Sequence, residues 1–333
     1  MPETRVLLVL ATSTGGVGRH VQSLAAGLAA RGCRVTVAGP ASTRAAFDLP
    51  SHEVVEIGTA PHPTRDAVAA TRLRALSKEA DVVHAHGLRA GALAVLSAPP
   101  VVVTLHNAVT GRIAAVLERL VAKRATVVLA AGSDLAERAR AVGARDVRLA
   151  PVAAPALVPT GQDPGLGHPL VLAVGRLHPQ KGYDVLLRAR SAWPEAVVAV
   201  AGDGPLAESL RAEAPDVRWL GARSDVADLL AAADVVVLPS TWEARSLTAQ
   251  EALRAGRPLV ASAVGELPSL VGDGAVLVPP GDVDALAAAV RRLLDDPVEA
   301  AALGERGRAV AAGWPTERDT VEQVLGVYRE LLR

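Results

Sequence analysis

Two glutamates, Glu243 and Glu251, flank Ser246-Leu247-Thr248 within the stretch Pro239–Gly256. The run Asp234-Val-Val-Val-Leu238 ahead of them reads as a short buried strand that Pro239 ends. From about Ser246 the pattern turns helical, and Gly256 stands as its stop. A helix that begins there points the amides of Ser246, Leu247 and Thr248 out of its N-terminus, where unpaired N–H groups and the helix dipole bind phosphate. Glu251 falls about a turn further in, roughly 5–8 Å along the axis, which suits a ribose diol attached to a diphosphate. Glu243 precedes the helix, where a sugar on the far side of the phosphates would hang. Two solvated surface carboxylates are the alternative reading of such a pair, so the remaining residues have to decide.

Three further groups could do chemistry. Arg176 and Lys181 sit five residues apart across the turn that follows the strand Leu170–Val174, and both could reach one pyrophosphate. Sheltered charge-assisted contacts of this kind contribute roughly 1.5–3 kcal/mol each; a pair of surface cations is the alternative. Gly15, Gly16 and Gly18 lie between the strand Arg5–Ala11 and a helix expected over Val21–Ala30, a place where a phosphate can approach the backbone. They are not a dinucleotide fingerprint, because the third glycine is out of register, and a plain tight turn fits them equally well. His84 and His86 share one face at the end of a strand, and His106 ends the next, where it is expected to face a substrate cleft. Three histidines also raise zinc, but no carboxylate or cysteine is spaced to join them. Lysine occurs only at 78, 123 and 181 and asparagine only at 107, so Lys181 and Asn107 stand out within their motifs.

These residues need a scaffold, and the composition allows one. The chain has 333 residues, half of them apolar, enough for two domains with sizeable cores. Thirty-five basic and thirty-five acidic residues balance to zero, which leaves no field to draw nucleic acid. A single cysteine, Cys33, excludes an internal disulfide and suits a reducing compartment. No signal-peptide pattern and no long uncharged apolar run is read, so the expectation is a cytoplasmic protein.

Strands expected at 5–11, 34–38, 54–57, 81–86, 100–105, 125–131 and 147–149 alternate with helices, among them 65–78, 112–124 and 133–142. That alternation implies a parallel sheet covered on both faces, with ligands at the carboxyl ends of its strands. The helix 112–124 carries Arg112, Arg119, Lys123 and Arg124 against one acid, Glu118; it reads as a solvated face or as a contact with an anionic membrane surface. The Pro- and Gly-rich stretch Ala150–Pro169 marks a domain boundary. The pattern then restarts with strands at 170–174, 197–201, 217–221, 234–238, 258–262 and 274–278, and closes with helices near 282–294, 297–312 and 316–332.

Taken in order, Gly15-Gly-Val-Gly, His84-Ala-His86-Gly87, Thr104-Leu-His106-Asn107, Val174-Gly-Arg-Leu, Gln180-Lys-Gly, Ala201-Gly-Asp-Gly-Pro and Glu243-x7-Glu251 resemble the GT4 family of retaining glycosyltransferases. The resemblance runs over nearly the whole chain. It implies an α/β GT-B fold, two Rossmann-like parallel-sheet domains facing a cleft: 1–155 on the acceptor side, 156–315 binding the sugar nucleotide, and a last helix, 316–333, crossing back to the first domain. It implies that Arg176 and Lys181 bind the diphosphate, Glu251 the ribose, and Glu243 the donor sugar. Gly15 and Gly16 approach the donor phosphates, and His106 lies near the reacting carbon. Gly202, Arg223, Ser246, Leu247 and Thr248 complete the expected donor set.

The implied reaction transfers a hexose-type sugar from a UDP- or GDP-sugar with retention, without a metal or other cofactor. The acceptor is a glycan, a lipid or a small molecule, met by loops near 40–65 and 105–115. Two departures stand out: Glu243-Ala-Arg-Ser-Leu247 replaces the common Glu-Gly-Phe-Gly-Leu, and Glu266 and Ser269 replace a common Gly and Glu. A sugar-nucleotide epimerase and a non-catalytic sugar-nucleotide-binding protein are the alternatives on the same fold. A nicotinamide dehydrogenase is disfavoured, since neither half carries the spaced fingerprint with its downstream acid.

Overall fold

In the computed structural model, which describes residues 3–13, 15–49, 51–108 and 111–333, the apolar runs form two parallel sheets. The first contains β1 (Arg5–Leu10), β2 (Arg34–Gly39), β3 (His52–Val54), β4 (Val82–His86), β5 (Val101–Leu105), β6 (Val127–Ala130) and β7 (Val147–Leu149), in the order β3-β2-β1-β4-β5-β6-β7. The second contains β8 (Leu170–Val174), β9 (Val197–Ala201), β10 (Arg218–Gly221), β11 (Val235–Leu238), β12 (Leu259–Ser262) and β13 (Val276–Val278), in the order β10-β9-β8-β11-β12-β13. Every paired neighbour runs parallel.

Both sheets bury both faces, which is why their strands read as continuous apolar runs. Along β1, Val6, Leu8 and Leu10 pack with Leu24, Leu28 and Val37, while Leu7 and Val9 pack with Ile57 and Leu73. Along β8, Val171 and Ala173 face Leu186 and Trp193, while Leu170, Leu172 and Val174 face Leu229 and Leu253. Each such leucine contributes about 1.5–3 kcal/mol by leaving water. The strand order reverses between β1 and β4 and again between β8 and β11. At such a switch point the loops after the two central strands splay apart and leave a crevice.

The chain divides into two compact units, one running to Ala153 and taking in Pro315–Arg333, the other spanning Ala154–Trp314. The last helix, Glu317–Leu331, therefore belongs to the first unit. Its start is fixed by a reciprocal cap in which Thr316 and Asp319 each accept from the other's backbone. Its stripe of Val321, Val324, Leu325 and Tyr328 enters the core with Leu24 and Leu28. Gly27 makes the approach possible, since a Cβ there would lie 2.5 Å from Val321.

Several elements differ from expectation. The helix expected at Val21 begins at Gly16, so Gly16 and Gly18 lie in its first turn and Gly15 caps it. The strand expected at 54–57 is β3, at His52–Val54, and Val55 and Ile57 are buried beyond it. The helix Leu88–Ala94 escaped the sequence reading because it is buried nearly all round and has no amphipathic period.

Candidate active site

In the second unit the expected residues collect at the switch point. The loop after β8 is tied to the loop after β11 by backbone and side-chain bonds. Thr241 N donates to Gln180 O at 2.8 Å, and Gln180 Nε2 donates to Trp242 O at 2.7 Å. Gly182 sits at φ +63, and a Cβ on it would lie 2.0 Å from Pro239 O, so only glycine lets these loops touch.

That contact brings Lys181 to Glu243. The Lys181 ammonium lies 2.5 Å from Glu243 Oε1, which also accepts from Ser240 Oγ at 2.7 Å. The side chains are 18% and 7% exposed, so the pair is largely withdrawn from water. The Lys181 stem runs over Gly175, whose Cβ position is 3.5 Å from Lys181 Cε, and Arg176 stands next in the chain with its side chain exposed. Glu243 is held from behind as well: Glu266 N donates to Glu243 O at 3.0 Å, and a Cβ on Gly265 would be 1.9 Å from that oxygen.

The helix that follows spans Leu247–Arg254, one residue later than expected, with Ser246 as its cap. Ser246 Oγ accepts from Ala249 N at 3.4 Å, which leaves the amides of Leu247 and Thr248 as the groups directed outward at this end. Ser246 therefore acts through its hydroxyl on the helix rather than by offering its own amide from a first helical turn. Thr248 Oγ1 donates to Val174 O at 3.1 Å and fixes the helix to the end of β8. Glu251, one turn in, is 3% exposed.

Two expected donor contacts have evident structural work. A Cβ on Gly202 would lie 1.9 Å from Gly175 O, so Gly202 packs the turn after β9 against the turn after β8. Arg223 is paired with its neighbour Asp225, Nε to Oδ1 at 2.7 Å, and both side chains are about one-third exposed. Sequence reasoning missed Ser240, Gln180, Gly182 and Gly265 as supports. Gln180 and Gly182 carried a signal, as the flanks of Lys181 in Gln180-Lys-Gly.

In the first unit Gly15, Gly16, His86 and His106 lie at or next to the carboxyl ends of β1, β4 and β5. Gly15 caps the helix Gly16–Ala29, its carbonyl accepting from Arg19 N at 3.2 Å, and Gly18 N donates to Ser13 Oγ at 3.1 Å. His106 and His86 are bonded, Nε2 to Nδ1, at 3.1 Å. His20, one turn after Gly16 on the same helix face, stands edge-on to both, with ring centroids 5.3 Å from His106 and 5.4 Å from His86. His84 is elsewhere engaged: it joins Tyr328 Oη and Thr104 Oγ1, each at 2.6 Å.

Among the described residues one group could present ligands to a metal ion, His20, His86 and His106, with one nitrogen from each within 4.8 Å of the others. The trio weighed from sequence, with His84 in place of His20, is thus not the one the fold assembles. Burial pushes His20 down to about 4 and His84 to about 3, and it holds His86 and His106 well below the usual imidazole range. All four rings are therefore neutral at pH 7, able to hydrogen-bond but carrying no charge.

On helix Arg112–Arg124, Ile113 and Val116 are exposed, whereas Glu118 is buried and bound to Arg138 at 2.7 Å. Within the loops expected to meet an acceptor, Pro50, Val109 and Thr110 lie outside the described residues, as does Thr14 of the glycine segment. No described helix is long and apolar enough to cross a membrane.

Comparison with known proteins bears on the family and the fold. Residues 15–155 match the family described as "Glycosyl transferase 4-like domain", and residues 168–296 match "Glycosyl transferases group 1". The glycogen synthase of Mycobacterium tuberculosis is 32% identical over 363 residues, covering 89% of this chain and 85% of that protein. The MMP alpha-(1->4)-mannosyltransferase of Mycolicibacterium hassiacum is 44% identical over 111 residues, 32% of this chain and 27% of that protein. The structure of HepE from Anabaena in complex with UDP and glucose superposes with a TM-score of 0.85 at 18% identity, over 98% of this chain and all of that one, and so shares the fold. The two domain matches and the near full-length relative place this chain in the GT4 family of glycosyltransferases, on a GT-B scaffold of two Rossmann-like domains.

Proposed function

We propose that the protein transfers a hexose-type sugar from a UDP- or GDP-sugar to an acceptor hydroxyl with retention of anomeric configuration. The observation that carries this reading is the Lys181–Glu243 pair, set beside the outward amides of helix Leu247–Arg254 at the switch point of the second sheet. Lys181 has three N–H donors. One meets Glu243, and the others, with Arg176 and the amides of Leu247 and Thr248, meet the diphosphate. Glu251 takes the ribose hydroxyls. Glu243 spends Oε1 on Lys181 and Ser240 and offers Oε2 to a sugar hydroxyl. Gly202 and Arg223 border this donor set.

As the bond from the anomeric carbon to the diphosphate breaks, negative charge grows on the leaving oxygens, where these fixed donors stabilise it. The acceptor oxygen bonds to the same face, and its proton passes to the departing phosphate. His106, neutral and oriented by His86, supports the positive sugar ring through its carbonyl or its ring. The work is positioning and electrostatics, supplied by the chain without a metal. HepE, of the same fold, holds UDP and glucose in its structure, which supports a uridine donor; the mycobacterial relatives support a sugar acceptor. Ile113 and Val116 beside Arg112 and Arg119 support a peripheral contact of the first unit with an anionic membrane.

Thermal shift with UDP, GDP, ADP and NAD tests the reading. A nucleotide at about 100 times its Kd stabilises by roughly 2.7 kcal/mol. One diphosphate should raise Tm in the wild type and fail to do so in Lys181→Ala. A glycoside of retained configuration should then form with the matching donor. Consumption of the sugar nucleotide without acceptor would instead favour the epimerase, and no shift with any nucleotide would refute the reading.

A further inference from the structure

Gln250 is fully buried in a helix that also buries Thr248, Ala249, Glu251, Ala252 and Leu253. A buried amide is retained only where its groups are bonded, and the partners of Gln250 are informative. Its Oε1 accepts from Ala154 N at 3.0 Å, and its Nε2 donates to Arg245 O at 3.5 Å. Four residues on, and so on the same side of the helix, Arg254 Nη1 donates to Ala154 O. Both backbone groups of Ala154 are thus held by one helix.

Ala154 is the first residue of the second unit, and Trp314 is the last. Trp314 is held by the same pieces, with the guanidinium carbons of Arg245 and Arg254 5.9 and 6.0 Å from its ring centroid. Arg245 itself lies in the short link between Glu243 and the cap Ser246. Helix Leu247–Arg254 therefore turns one side to the expected donor, through Leu247 and Glu251. A side about 100° away fastens both places where the chain passes between the units.

We propose that Gln250 and Arg254 are positioning residues that couple these two sides: a nucleoside diphosphate held at the start of helix Leu247–Arg254 orders the backbone around Ala154 and Trp314. The coupling rests on the donor reading above and adds to it a route by which donor binding reaches the connections. Apolar residues at 250 and 254 would pack the helix equally well and would leave the Ala154 peptide groups unheld.

Hydrogen–deuterium exchange of the full chain, with and without millimolar UDP or GDP, tests this. In the wild type the nucleotide should slow exchange in residues 246–251 and, about fivefold or more, in residues 152–157 and 312–316. In Gln250→Leu, which keeps volume but deletes the bonds to Ala154 N and Arg245 O, the slowing at 246–251 should persist while that at 152–157 disappears. Gln250→Glu, which keeps an acceptor for Ala154 N–H, should restore it. Arg254→Met repeats the test if Gln250→Leu does not fold, with the slowing lost at both connections. Slowing at the connections that persists in the Leu and Met variants, that the Glu variant fails to restore, or that is absent from the wild type would overturn the coupling alone. No slowing at 246–251 with either nucleotide would overturn the donor reading and the coupling with it.

Discussion

Removing Lys181 should damage the protein twice, and a double-mutant cycle separates the two effects. The ammonium meets a carboxylate that is 7% exposed, so Lys181→Ala leaves Glu243 with Ser240 Oγ as its remaining close donor. Stranding one partner of a buried pair costs about 3–5 kcal/mol. Lys181 is itself 18% exposed, which lets water reach the gap and places the expected loss at the lower end, about 3 kcal/mol. For a unit of this size that is a fall in Tm of about 6–12 °C. Glu243→Gln removes the stranded charge, so Lys181→Ala in that background should cost less than about 1 kcal/mol.

Nucleotide affinity should behave differently. Loss of the Lys181 contact to the diphosphate, about 1.5–3 kcal/mol, weakens UDP or GDP binding about 10- to 150-fold whether or not Glu243 is charged. Urea melts give the stability arm and calorimetric titration the affinity arm. A stability cycle without coupling, or Lys181→Ala binding the nucleotide as the wild type does, would refute the placement of Lys181 between carboxylate and phosphate.

Two further outcomes follow from the geometry. His20, His84, His86 and His106 are buried and neutral, with His20 lowered to about 4 by burial. The unfolded chain takes up their protons below about pH 6.5 and the folded one does not. Their stabilisation is therefore complete above about pH 6.5 and is lost as pH falls from there, toward 4 for His20 and toward 3 for His84. His20 alone contributes about 3 kcal/mol over the whole range and about 2 kcal/mol of it between pH 7 and 5, so urea midpoints by circular dichroism should drop over that interval, and a flat profile would contradict the buried neutral cluster. Gly182→Ala forces a side chain into a left-handed backbone and against Pro239 O, so it should cost more than about 1–2 kcal/mol. It should also abolish nucleotide binding by parting the two loops; wild-type affinity in a folded Gly182→Ala protein would show that the loop contact does not build the site.

Much of this protein was legible without coordinates. Runs such as Val6–Leu10 and Val235–Leu238, apolar on every residue, can be satisfied only in a parallel sheet covered on both faces. Their alternation with helices sets the doubly wound class, and that class puts the loops after the strands in reach of a ligand. Gly15, His106, Arg176 and Glu243 drew notice because each directly follows a strand or falls in such a loop.

Partnerships across the chain were not legible, because nothing in local propensity records them. Lys181 and Glu243 are 62 residues apart and meet because glycines at 182 and 265 let three loops interlock. His84 and His86 look equivalent in the sequence. Tyr328 and Thr104 claim the first, while His20, brought in by a helix that starts five residues earlier than its apolar pattern suggests, stands beside the second. Nothing in the sequence singles out Gln250, whose side chain holds Ala154 N 96 residues away. The sequence by itself determined most of the strands and helices and which loops stand at the carboxyl ends of the strands, since those follow from periodicity and local chemistry. Only the tertiary structure decided which charges pair, which histidines cluster and which side chains hold the connections, since those depend on distances between segments far apart in the chain.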